Sequence, residues 1–229
     1  MEDSPGDLLY SSSNIIVAKS TFSIDCQRCE RLTKYLLESK QKYPNYYCKP
    51  VPAFGDPYAR LIIVGLAPGL HGANATARPF TGDHAGLILY QTLYKFGFSS
   101  HAESVSMDDG LKLINARITN AVKCVPPQNK PIGEEIKNCN LYLQEELSAL
   151  KESHVLLALG RIAHESILKA LNMRLKSFPF AHAAEHQLNE HLLLIDSYHC
   201  SRYNTQTRRL TVEQFEAIFA RINIILNSQ

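Results

Sequence analysis

Four short, largely apolar runs punctuate the chain: Leu61–Val64, Arg117–Val122, Val155–Leu159 and Leu192–Ile195. Each has the length and composition of a strand. Between and after them, apolar residues recur at helical spacing in Ala85–Phe96, Glu134–Leu150 and Ile162–Leu171. A last amphipathic helix is predicted over Val212–Leu226, with Thr211 as its N-cap. A further helical pattern runs through CQRCERLTKYLLES, from residue 26 onward. Strands alternating with helices predict a parallel sheet covered by helices on both faces. The proline-rich segment Pro44–Pro57 leads into the first strand and is placed to cover the sheet. Residues 1–13, Ser-rich and acidic, read as a loose tail, and 14–229 as one domain without internal repeats.

With 229 residues, 45% of them hydrophobic, the chain can bury a full core as a single unit. The net charge of +2 is indecisive, but its placement is not. Arg202, Arg208 and Arg209 sit in the loop after the last strand, where phosphate contact is the expectation. Lys123 and Lys130 flank a proline-rich turn and add positive charge at another loop end. No run approaches the roughly 18 apolar residues of a membrane span, and no signal peptide is expected. A cytoplasmic location follows, in which cysteines stay reduced.

That compartment changes how the six cysteines read. Cys26 and Cys29 form a C-x2-C pair at a helix start. Cys124 and Cys139 form a second pair across a turn and the start of another helix. Two such pairs of soft ligands suit zinc or an iron–sulfur cluster, and spacing does not separate them. Cys48 and Cys200 read as small buried hydrophobes.

Two loops carry the remaining chemistry. The first, GLAPGLHGANATARPFTGD (65–83), follows the first strand; the second, SYHCSRYNTQTRRLT (197–211), follows the last. In an open parallel sheet, ligands bind outside the carboxyl ends of the strands, so the two loops are expected to meet over one pocket. Gly65, Gly69 and Gly72 let backbone amides approach a ligand. The loop has neither GxGxxG nor the Lys-Ser/Thr of a phosphate loop, which disfavours nucleotide cofactors. Asn74 is a turn residue or a polar site group. Phe80 is a core plug or a stacking platform. Asn120 ends the second strand, and His199, heading the second loop, is a catalytic candidate.

With these motifs assembled, the chain resembles the iron–sulfur group of uracil-DNA glycosylases, in its B-type (family 5) branch. The resemblance rests on GLAPG at 65–69, HGAN at 71–74 and a near-match to TGRPFTGD at 76–83. TNAVKC at 119–124 and SYH-x-SR-x-NT at 197–205 complete it. It spans about Cys26 to Thr211. It implies a [4Fe–4S] cluster on Cys26, Cys29, Cys124 and Cys139, and a three-layer α/β/α sandwich around a four-stranded parallel sheet. Leu66 and Ala67 stand where other glycosylase families place an acid or amide, which favours the B-type over the A-type branch. Ala77 and Arg208 replace glycines of TGR triplets, and Cys200 replaces a proline.

The resemblance also implies roles. DNA containing uracil or another deaminated base is the partner, and the base is flipped out and cut from its sugar. His199 stabilises the developing oxyanion and Asn74 orients water. Gly65, Ala67, Phe80, Asn120 and Asn204 form the base site. Asn120 has the donors and acceptor to read a uracil edge with two hydrogen bonds. Arg202, Tyr203, Arg208 and Arg209 contact DNA, the first two as a wedge. A monomer working at the nucleoid is expected. The rivals are an A-type enzyme strict for uracil and a non-catalytic iron–sulfur DNA-binding protein.

Overall fold

A computed structural model describes residues 22–150 and 154–228. The expected tail at 1–13 and the first residues of the expected domain lie outside the described residues. In chain order the elements are α1 (Glu30–Lys42), β1 (Phe54–Gly55), β2 (Leu61–Gly65), α2 (Ala73–Thr76), α3 (His84–Lys95) and β3 (Ala116–Asn120). They continue as α4 (Gly133–Ser148), β4 (His154–Leu159), α5 (Arg161–Ala170), β5 (Glu185–Gln187), β6 (Leu192–Ser197), α6 (Arg202–Gln206) and α7 (Val212–Asn227).

The strands form one sheet in the order β1-β3-β2-β4-β6-β5. The inner four pair in parallel, whereas β1 and β5 pair antiparallel at the edges. The expected four-stranded parallel sheet is therefore corrected to the centre of a six-stranded mixed one. The edge strands have two and three residues, too few to leave a periodic signal. Their role is to pair backbone groups that an open edge would leave free. The proline-rich segment does reach the sheet, as β1 on β3.

Successive side chains of a strand point to opposite faces, and β2 feeds both. Leu61 and Ile63 join Leu89, Leu93, Phe215 and Phe219, from α3 and α7. Ile62 and Val64 join Leu143, Leu147, Ile167 and Leu168, from α4 and α5. Each such side chain, fully buried, contributes about 1.5–3 kcal/mol of transfer free energy. A third, smaller core joins Leu32 and Leu36 of α1 to Val122, Val125 and Tyr142. The Thr211 hydroxyl accepts from Gln214 N–H at 3.2 Å, the expected N-cap of α7.

Ala77 and Arg208, where the resemblance anticipates glycine, both hold left-handed backbone, with φ of 64° and 55°. The turns survive loss of the glycine at a cost of about 1–2 kcal/mol each. Cys200 is fully buried, its Sγ donating to the Ala85 carbonyl at 3.5 Å. Lys123, read from sequence among the loop-end charges, is instead buried. Its Nζ donates to Glu146 at 2.7 Å and to the Thr119 hydroxyl, partners that compensate the buried charge.

Candidate active site

Parallel pairing brings the ends of β2 and β3 side by side, with Gly65 opposite Asn120 in register. Ala121 and Val122 extend this pairing by donating to the carbonyls of Gly65 and Leu66, both at 2.9 Å. The glycine loop is thus fixed at its root. A Cβ on Gly65 would stand 2.4 Å from Asn120 Oδ1 and 2.7 Å from the Phe80 ring. Only glycine lets the amide, the ring and the strand end meet there. Asn120 is 3% exposed, and its Oδ1 has no hydrogen-bond partner among the described residues. A buried carbonyl left unpaired costs roughly 1–3 kcal/mol, so it stands ready for a donor on a ligand.

Phe80 has φ of 56°, an unfavourable backbone state for a bulky residue, and its ring stacks on His199 at 5.8 Å, planes 25° apart. His199 follows β6, and its carbonyl accepts from Asn204 Nδ2 at 2.8 Å. Asn204 therefore braces the histidine loop with the amide assigned to the base site. Burial pushes the His199 pKa below its ordinary value, and the Asp83 carboxylate only partly restores it. The imidazole is neutral at pH 7 and can donate one N–H.

Asp83 is the group that sequence reasoning missed. Its Oδ1 accepts from Gly86 N–H at 2.9 Å as the N-cap of α3. Its Oδ2 faces the glycine loop, where a Cβ on Gly72 would come within 2.6 Å of it. An Asp just before a helix signals a cap, which hid the second oxygen. Asn74, in α2, is fully buried; its Nδ2 donates to Cys48 Sγ at 3.4 Å and to the Leu70 carbonyl at 3.5 Å. Its Oδ1 has no partner among the described residues. Ala67 packs on the third core, leaving only its backbone for the site.

A cavity of about 330 Å³ adjoins His199, lined among others by Gly160, Arg161, Phe180, Tyr198 and Arg209. Phe80, Asn120 and Asn74 do not line it. Arg209 lies over the Tyr198 ring at 4.4 Å. Arg202, Tyr203 and Arg208 are exposed in or just beyond α6, Tyr203 by 70%. The segment 178–186 is held by a clamp. His164 meets Asp196 Oδ1 at 2.7 Å and the Phe178 carbonyl at 2.9 Å, so both ring nitrogens face acceptors. His186 meets the other Asp196 oxygen at 3.2 Å. These three are close enough to hold a metal ion, but mutual hydrogen bonding already satisfies them.

The two cysteine pairs converge. Cys26, Cys29, Cys124 and Cys139 line one small cavity with Arg28, Asn138 and Tyr142. Arg31 of α1 forks onto Glu135 of α4 at 2.7 and 2.8 Å, tying together the helices that follow and carry them. Burial pushes the thiols of Cys29 and Cys124 up, and that of Cys139 to about 11. Among the described residues only His164, His186 and Asp196 gather ligand atoms within 4.8 Å of one another. Four soft sulfur donors around one cavity fit a thiolate-bound metal group, zinc or an iron–sulfur cluster.

Among the described residues no helix is long and apolar enough to cross a membrane. The family model described as the uracil DNA glycosylase superfamily matches residues 52–223. A Type-5 uracil-DNA glycosylase of Thermus thermophilus is 46% identical over 83% of this chain and 89% of its own length. A Type-5 relative from Pyrobaculum aerophilum is 40% identical over 86% and 88%. A Type-4 relative from Saccharolobus solfataricus is 28% identical over 73% and 74%. With strand ends, glycine loop and histidine loop all inside the matched span, the chain belongs to the uracil-DNA glycosylase superfamily.

Proposed function

We propose that this protein is a DNA repair glycosylase that flips uracil out of DNA and hydrolyses its bond to the sugar, leaving an abasic site. The convergence of Asn120, Gly65, Phe80 and His199 carries the reading. Extrusion costs a few kcal/mol of stacking and pairing, offset in the pocket by stacking on Phe80 and hydrogen bonds to Asn120. As the glycosidic bond lengthens, negative charge collects on the leaving base. The neutral His199 donates an N–H to it, without an ion pair that would hold the product. Water is aligned for attack on the sugar by the unpaired Asn74 Oδ1, or by Asp83, which can also take its proton. With Asp83 facing the glycine loop, the lack of an acid in GLAPG no longer favours a non-catalytic protein. Identity of 46% to a Type-5 enzyme, against 28% to a Type-4 one, favours the B-type reading.

Cys26, Cys29, Cys124 and Cys139 hold a [4Fe–4S] cluster in this reading, supported by the convergence of the four cysteines on one cavity and by the likeness to Type-5 relatives. When bound, the group supplies cross-linking of α1 to α4 and no bond-breaking chemistry. Arg202, Tyr203, Arg208 and Arg209 grip the DNA around the flipped nucleotide. The enzyme acts as a monomer in the cytoplasm, at the nucleoid.

Incubation with an oligonucleotide bearing a single uracil, followed by alkali, should cut the strand at that position. Intact strands with normal binding would overturn the catalytic reading. The same assay with hypoxanthine, xanthine and modified uracils reads the substrate range, and cleavage confined to uracil would restore the strict A-type alternative.

A further inference from the structure

The cysteine cavity contains more than ligands. Helix α4 presents Asn138, Cys139 and Tyr142 to it from adjacent positions, Tyr142 one turn beyond Cys139. The Tyr142 hydroxyl donates to Cys26 Sγ at 3.1 Å. Asn138 Nδ2 donates to Cys29 Sγ at 3.7 Å, and the Lys123 backbone N–H to Cys139 Sγ at 3.4 Å. Tyr142 is 3% exposed, so its hydroxyl is held against Cys26 Sγ with little access for solvent. Its ring is fixed independently of that hydroxyl. Phe22 packs edge-on at 5.4 Å, and Arg28 lies over the ring at 5.6 Å.

We propose that Tyr142, seconded by Asn138, sets the reduction potential of the group held by the four cysteines, by hydrogen bonding to the Cys26 and Cys29 sulfurs. This rests on the iron–sulfur reading of that site. A thiolate that accepts a hydrogen bond gives less electron density to iron. The form carrying one more electron is then stabilised relative to the oxidised one, and the potential rises. The 3.1 Å contact from a hydroxyl is the stronger of the two, so Tyr142 has the larger share.

The test is an equilibrium redox titration of purified holoprotein, followed by visible absorbance, with iron and sulfide quantified in each sample. Tyr142→Phe keeps the ring with its Phe22 and Arg28 contacts and removes only the hydroxyl. Its midpoint should move to more negative potential at wild-type iron content. Asn138→Ala should move it the same way by less. Bleaching by ferricyanide should be faster in both, which serves if the midpoint lies beyond the titration range. An unchanged or more positive midpoint, or unchanged bleaching, in fully loaded Tyr142→Phe overturns the proposal. If that variant fails to load, Asn138→Ala decides it by the same readouts. Wild-type protein without iron or sulfide would instead overturn the cluster reading on which it rests.

Discussion

The rings of Phe80 and His199 lie 5.8 Å apart and 25° from parallel, joining the loop after β2 to the loop after β6. Neither loop alone makes a site. The first contributes an aromatic face and backbone amides, the second one N–H donor, and Asn120 from β3 closes the group through Gly65. In the proposed reading, recognition and charge stabilisation are assigned to different strand ends, so substitution can separate them.

His199→Ala should lower the single-turnover rate of uracil excision by on the order of 10²–10³, the usual loss for one oxyanion donor. DNA affinity should hardly change. Asn120→Ala should instead erode the preference for uracil over other bases, since it removes the buried Oδ1 that has no partner among the described residues and is proposed to read the base edge. Equal losses for all bases in the Asn120 variant would remove it from recognition.

The pH profile follows from burial of His199. Its folded pKa lies below the ordinary histidine value of about 6.5, so the catalytic neutral form persists as pH falls through that value. The acid limb of the single-turnover rate should therefore sit below the ordinary histidine range. A limb at or above it would mean that the imidazole is solvated or acts as a cation.

In the proposed reading, Asn74 and Asp83 are alternative groups for aligning the attacking water. If Asn74 Oδ1 aligns it, Asn74→Ala should slow excision while Asn74→Asp preserves or raises it. If Asp83 takes the proton, Asp83→Asn should cost about 10²–10⁴ in rate, the range of general base catalysis. Wild-type excision by Asn74→Ala with normal binding would reduce Asn74 to packing between Cys48 and Leu70.

For Arg202, Arg208 and Arg209, loss of any one should weaken DNA binding whatever base is present. The slope of log affinity against log salt should fall by about one unit per lost phosphate contact. An unchanged slope would return that arginine to solvent.

Stability should depend on a buried pair that ties the first loop to the segment around Asp109. Arg78 Nη1 lies 2.7 Å from Asp109, both nearly buried, and Arg78 also donates to the Met107 carbonyl. Burial alone would raise the Asp109 pKa. Arg78 and the N–H groups of Leu111, Val105 and Ser106 outweigh it and hold the carboxyl well below the usual range. The stabilisation is complete above about pH 3.9, the unfolded value, and is lost as pH falls from there toward the folded pKa. Arg78→Ala leaves a buried unpaired charge and should cost about 3–5 kcal/mol in denaturant unfolding at pH 7. It should also flatten the acid limb of the stability curve. A variant as stable as wild type would mean that water reaches Asp109.

What the sequence by itself determined was everything carried by local pattern. The four inner strands and the flanking helices emerge to within one or two residues at most ends, since burial on a parallel sheet forces apolar runs. The Thr211 cap and the C-x2-C before α1 are equally local. Tertiary structure alone decided the contacts between distant segments. Edge strands of two and three residues have no periodicity and form only where a neighbour offers free backbone. Lys123 became an interior cation because Glu146, a helix away, faces it. The second oxygen of Asp83 gained its meaning from the approach of Gly72. That the two cysteine pairs line one cavity was likewise decided by packing, since spacing alone does not say which distant pairs meet. Sequence specifies which groups are available, but distances between them exist only after the sheet has brought its strand ends together.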